Sequence, residues 1–139
     1  MENQEKYNNL SKLVEKLKKS EDPKRKYEYI LWLGKKLKEP DSNILIEENK
    51  VKGCVSEVFV KANIKGGKLY WEGYSDALIT KGLLAFLIGG LNALTPNEVV
   101  RINKKFIEDT GLKASLTPSR SNGFLNILLK MQSQANDFL

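Results

Sequence analysis

Histidine is absent from the 139 residues, and cysteine occurs once, as Cys54. The missing histidine removes Ser-His-Asp and Cys-His catalysis, the commonest metal ligand and the usual general base near neutral pH. A single cysteine excludes an internal disulfide, a Cys-x-x-Cys redox pair and a cysteine-rich zinc site. If Cys54 reacts, its activation must come from backbone dipoles, nearby cations or another protein. Long apolar runs are missing too. The longest, Gly82 to Leu94, is interrupted by Gly89-Gly90 and Asn92 and falls short of the roughly 20 residues that span a bilayer, so no membrane association is expected. The start, Met1-Glu2-Asn3-Gln4-Glu5-Lys6, has no apolar segment of the secretory kind, and a cytoplasmic location is expected. No phosphate-binding loop or dinucleotide fingerprint occurs, because Gly66-Gly67 lies between two strand-like runs rather than before a helix.

What is present describes an ordinary folded chain. Hydrophobic residues make up 41% and charged residues 29%, enough apolar material for one compact domain over residues 1–139 without metal or disulfide staples. The net charge of +6 has much of its excess in Lys12 to Lys38. Glu15, Glu21, Asp22, Glu28 and Glu39 are interleaved with those lysines, which favours solvated helix faces over a nucleic-acid groove.

Leu10, Leu13, Val14 and Leu17 repeat at helical spacing. Asp22-Pro23 starts a second helix, with Asp22 as N-cap and proline in the first turn, running to about Leu37. Tyr29 and Trp32 fall largely off its apolar stripe; partial burial against a neighbouring loop is expected for them, with a partner-binding aromatic patch as the alternative. Lys38 to Lys50 reads as a loop pinned by Ile44, Leu45 and Ile46. From Val58 the period becomes two, with Val58, Val60, Ala62 and Ile64 on one face; Gly66-Gly67 forms a hairpin, and Leu69, Trp71 and Gly73 return on that face. A short strand at Val51 would complete a three-stranded antiparallel meander, with Cys54 at the tip between its first two strands.

Ser75-Asp76 is expected to cap a third helix, apolar almost all round from Ala77 to Ile88 and ended by Gly89-Gly90. Thr95-Pro96-Asn97-Glu98 is a capping box for a helix whose apolar face continues through Phe106 and Ile107. Thr117-Pro118 opens a last helix with Phe124, Leu128 and Met131 on one stripe. The fold class is α+β: a small three-stranded sheet packed with five to six helices.

Two readings of Cys54 stand side by side on these residues. Gly53 allows a sharp turn beside the thiol and Lys52 supplies a nearby cation, both suited to a nucleophile. A lone cysteine at a strand end is also a common small core residue. The second reading makes the chain a non-catalytic protein- or nucleic-acid-binding module.

Five ordered segments bear on that choice. They are Lys26-Tyr27-x-Tyr29-Ile30-x-x-Leu33-Gly34, Val51-x-Gly53-Cys54-x-Ser56-x-Val58, Gly73-x-Ser75-Asp76-Ala77-x-Ile79-x-Lys81-Gly82-Leu83, Thr95-Pro96-x-Glu98-x-Val100 and Leu116-Thr117-Pro118-Ser119-Arg120-Ser121-x-Gly123. Together they resemble the SufE family of sulfur acceptors for cysteine desulfurases, over most of the chain. The resemblance implies a SufE-like fold, similar to that of the U-type scaffold proteins. It also implies that Cys54 carries a persulfide received from a SufS-like cysteine desulfurase and passes it to a SufB-containing Fe–S scaffold complex. No cofactor is implied for this chain, because the pyridoxal phosphate belongs to the partner. Such a protein is an activator of the desulfurase rather than a self-sufficient enzyme. Gly53, Ser56, Asp76 and Arg120 match positions near the cysteine loop and its partner surface, and the family's free form is implied to tuck that loop against an apolar cavity and to move it out on docking. Val55 and Tyr74 depart from the family pattern, where polar residues are expected.

Overall fold

The computed structural model describes residues 8–139, and Met1 to Lys6 lies outside the described residues. The first helix, α1 (Asn8–Lys18), buries Leu10, Val14 and Leu17, the stripe its spacing predicts. The next, α2 (Pro23–Lys35), opens on Asp22, whose carboxylate accepts the Lys24 N–H at 3.0 Å. It ends at Lys35 rather than Leu37 because its last turn tightens, with Lys36 N–H bonding to Leu33 C=O at 3.1 Å and Leu37 N–H to Gly34 C=O at 3.2 Å. Trp32 remains 48% exposed. It stacks on Tyr29 with centroids 5.7 Å apart and carries the Lys36 ammonium 3.8 Å over its ring, so a cation and a neighbouring ring cover it instead of a loop. Of the three residues expected to pin the following loop, only Ile44 is buried; Leu45 and Ile46 are exposed.

Strands β1 (Val58–Lys65) and β2 (Lys68–Ser75) pair antiparallel with Val60 opposite Gly73 and Ala62 opposite Trp71. The positive φ values of Gly66 and Gly67, 59° and 77°, close the hairpin. The sheet has two strands, not three. Val51 donates to Val58 C=O at 2.8 Å and Lys50 bridges Phe59, but no ladder grows from them. A 3₁₀ turn at Glu47–Asn49 immediately precedes this bridge, and Gly53, with φ of 79°, turns the chain away immediately after.

Amide side chains finish both sheet edges. Gln134 accepts from Ala62 N–H at 2.8 Å and donates to Val60 C=O at 2.7 Å, while the Asn92 oxygen accepts the Trp71 N–H at 3.0 Å. Edges satisfied in this way offer fewer free groups to another strand.

Helix α3 (Leu78–Leu91) is the centre, with Leu83, Leu84, Phe86 and Leu87 wholly buried. It crosses α2 where Gly34 and Gly82 meet, and a Cβ on Gly82 would lie 2.1 Å from the Ile30 carbonyl oxygen. It continues past the expected stop at Gly89-Gly90, since Gly90 packs against Leu10 and a Cβ there would sit 2.8 Å from Leu10 Cδ1. Tertiary packing outweighs the low helix propensity of glycine.

Helix α4 (Pro96–Val100) carries the complete capping box. Phe106 and Ile107 do not continue it. The Asn103 side chain accepts the Lys105 N–H at 2.9 Å and starts a fresh turn, α5 (Phe106–Asp109). The last helix, α6 (Pro118–Asn136), buries Phe124, Ile127, Leu128 and Met131 and leaves Leu129 exposed. Phe124 meets Phe86 edge to face at 5.8 Å, which joins α6 to α3. The α+β class stands, with α3 packed against β2 and α6 against β1. No described helix is long and apolar enough to cross a membrane.

Candidate functional site

The segment carrying Cys54 is tied down at both ends. At one end is the Val51–Val58 hydrogen bond; at the other, Asp76 N–H donates to Glu57 C=O at 3.3 Å and the Asp76 carboxylate accepts the Glu57 N–H at 3.0 Å. Asp76 is therefore not the cap of α3. Ala77 precedes that helix without a side-chain cap bond, and Ser75 Oγ accepts the Ala77 N–H at 3.3 Å. Pairing of Ser75 with Val58 carries the ladder far enough to set Asp76 against Glu57, where its carboxylate closes the loop instead.

Between these ties, three residues rest on one side of α6. Arg120 Nη1 donates to Ser56 Oγ and, at 2.6 Å, to Thr80 Oγ1 on α3; the two hydroxyls are 3.3 Å apart. The Cys54 thiol points at the Gly123 carbonyl, Sγ to O 3.7 Å, and a Cβ on Gly123 would lie 3.5 Å from the sulfur. Asn126 Nδ2 donates to Gly53 C=O at 2.9 Å. Gly53 needs its lack of a side chain twice, once for its φ of 79° and once because a Cβ would fall 2.5 Å from Asn126 Nδ2. Arg120, Gly123 and Asn126 form an i, i+3, i+6 row winding obliquely over the helix. Farther along α6, Lys130 Nζ holds Glu48 C=O at 2.7 Å.

Burial pushes the Cys54 thiol above its ordinary pKa, and the Arg120 guanidinium pulls it partly back. Arg120 is the cation that acts on the sulfur; Lys52, the sequence neighbour expected to supply charge, is exposed. In this arrangement the thiol is half-buried, and the balance of burial over the Arg120 charge favours its protonated form. Val55, next to Cys54 in the chain, is 69% exposed, and Leu78, at the start of α3 two residues before Thr80, is 72% exposed. Among the described residues no three His, Cys, Asp or Glu side chains converge to hold a metal.

Sequence reasoning singled out Gly53, Cys54, Ser56, Asp76 and Arg120, and the structure gathers all five around one loop. It did not find Thr80, Gly123 as a thiol contact, or Asn126. The i, i+3, i+6 spacing from Arg120 was a usable signal for the last two, though the apolar stripe of α6 drew the reading to its other residues.

Residues 11–135 match the family model for SufE, described as an Fe-S metabolism associated domain. The chain belongs to the SufE family. An uncharacterised SufE-like protein of Synechocystis sp. is 52% identical over 130 residues, covering 94% of this chain and 82% of that protein. SufE-like protein 1, chloroplastic/mitochondrial, of Arabidopsis thaliana is 42% identical over 127 residues, covering 91% of this chain and 34% of its own length. The cysteine desulfuration protein SufE of Plasmodium vivax is 40% identical over 116 residues, covering 81% of this chain and 46% of its own. The chain thus spans about a third and about half of the last two relatives. A solution structure of a hypothetical protein from Thermus thermophilus shares the fold, with a TM-score of 0.80 and 25% identity, over 93% of this SufE-family chain and 94% of that one.

Proposed function

We propose that Cys54 is a sulfur acceptor: it takes the terminal sulfur of a cysteine persulfide on a SufS-like desulfurase and hands it to a SufB-containing Fe–S scaffold complex. The observation that carries this reading is the placement of the chain's one thiol on a loop held by a few polar contacts, in a member of the SufE family.

The chemistry is exchange at sulfur. The Cys54 thiolate attacks the terminal sulfur of the partner persulfide, the partner's S–S bond breaks, and its cysteine leaves as a thiolate. That thiolate takes up the proton Cys54 gave up, so the products are a Cys54 persulfide and a partner thiol, with no net oxidation. Carbon–sulfur cleavage and its pyridoxal phosphate stay with the partner, which is why a chain without histidine suffices.

The closed loop suits a carrier, since a protonated, sheltered sulfur resists stray oxidants. Partner docking draws the loop out, relieves the burial that raises the thiol pKa, and frees the nucleophile. Val55 and Leu78 supply apolar contact for that docking, and Gly53, Ser56, Asp76 and Arg120 shape the loop it engages. A reducing compartment such as the cytoplasm fits a free thiol of this kind.

The test is desulfurase turnover, read as alanine formed from cysteine. Adding the wild-type chain accelerates it and adding Cys54→Ser does not. Equal acceleration by both would remove Cys54 from the reaction.

A further inference from the structure

We infer that Asn126 is a positioning residue that sets how often the Cys54 loop leaves α6, an inference that rests on the sulfur-acceptor reading for its purpose though not for its test.

The two ties at Val51–Val58 and Glu57–Asp76 leave residues 52–56 as a short flap that can swing without breaking either. Three contacts hold the flap shut, and they are unequal. The Ser56 contact lies beside the Glu57 tie, on the hinge side, where the Arg120 guanidinium and Thr80 hold it in a charge-assisted cluster. The Cys54 contact is a weak sulfur donor at 3.7 Å. Only the bond from Asn126 to Gly53, at 2.9 Å, is a short, well-made restraint on the far limb. Apolar burial on this limb is confined to Cys54, which packs partly against the core, because Lys52 and Gly53 are exposed and the Val55 side chain faces outward at 69% exposure. A neutral amide-to-carbonyl bond shifts such an equilibrium about five-fold.

Asn126 is half-buried on the surface of α6, and alanine there is a better helix former. Removing its amide therefore frees the flap and leaves the body intact. For a carrier this bond sets the work a docking partner does to expose the sulfur.

The experiment uses the full chain alone. Alkylation of Cys54 by iodoacetamide is followed from neutral to alkaline pH until the rate levels off, together with backbone hydrogen exchange. In Asn126→Ala the plateau rate rises about five-fold, exchange at residues 52–56 rises by a similar factor, and exchange in β1, β2 and α3 stays at the wild-type level. Asn126→Asp keeps the size and removes the donor, so its exchange matches that of Asn126→Ala. Wild-type rates in both variants would overturn the inference, as would exchange that rises throughout the chain, the mark of a purely structural residue. Failure of sulfur to load on Cys54 would instead remove the acceptor reading and leave the Asn126 restraint standing.

Discussion

Gly82 and Gly123 are both buried helical glycines facing another segment, yet they mark opposite kinds of contact. At Gly82 an added Cβ would stand 2.1 Å from a backbone oxygen of α2, and at Gly34 across the interface it would stand 2.9 Å from the Gly82 nitrogen. Two backbones touch there, and neither can give way. At Gly123 the added atom would meet only the Cys54 sulfur, at 3.5 Å, an ordinary contact distance. The α2–α3 crossing holds the fold together; the α6 surface under the cysteine loop is a separable seat made of single polar contacts. Close packing is concentrated at the α2–α3 crossing, and the one thiol sits where few contacts hold its segment.

The sharpest way to break this comparison is Gly82→Ala. Overpacking against a carbonyl should cost about 3 kcal/mol and lower the melting temperature by roughly 10 °C; an unchanged melting curve would mean the crossing has slack. Leu78→Glu acts on the other region alone. Because Leu78 is 72% exposed, thermal stability should stay within about 0.5 kcal/mol of wild type, while affinity for the desulfurase, measured by calorimetry, falls about ten-fold. Gly123→Ala sharpens the contrast directly. With ordinary space for the methyl, the helix gains up to about 1 kcal/mol from the better helix former, and the melting temperature holds or rises. Alkylation of Cys54 slows, since the added methyl shelters the sulfur further.

Smaller effects concern the thiol's titration. Arg120→Gln keeps an amide donor near Ser56 and Thr80 but removes the charge that opposes burial, so the midpoint of the alkylation pH profile moves up. Burial already holds the folded pKa above that of the unfolded chain. The stability this thiol contributes is therefore full below the unfolded pKa and declines as pH rises through the folded value. In urea titrations the stability difference between wild type and Cys54→Ser should be wider at about pH 7 than at about pH 10.

Periodicity and capping chemistry made α1, α2, the hairpin and α6 legible, because each is specified by residues close together in sequence. The absence of a third strand was not legible. Val51 does make a strand-like bond, but whether a ladder grows depends on the turns on either side, one of them set by the backbone of Gly53. Asp76 looked like a helix cap for the same reason: its pattern is local, while the Glu57 amide that takes its carboxylate arrives through the sheet register. At the site, composition left Cys54 ambiguous, and resemblance to a family turned attention to Ser56, Asp76 and Arg120. Thr80 and Asn126 stayed hidden because an interior threonine of α3 and a surface asparagine of α6 acquire meaning only once the loop is laid across them.

The central claim is that Cys54 receives sulfur, and intact mass after incubation with a cysteine desulfurase and cysteine tests it most directly. The account predicts that wild type gains the mass of one sulfur atom, lost again on reduction, and that Cys54→Ser gains none. Wild type emerging at its original mass from an actively turning-over desulfurase would contradict it.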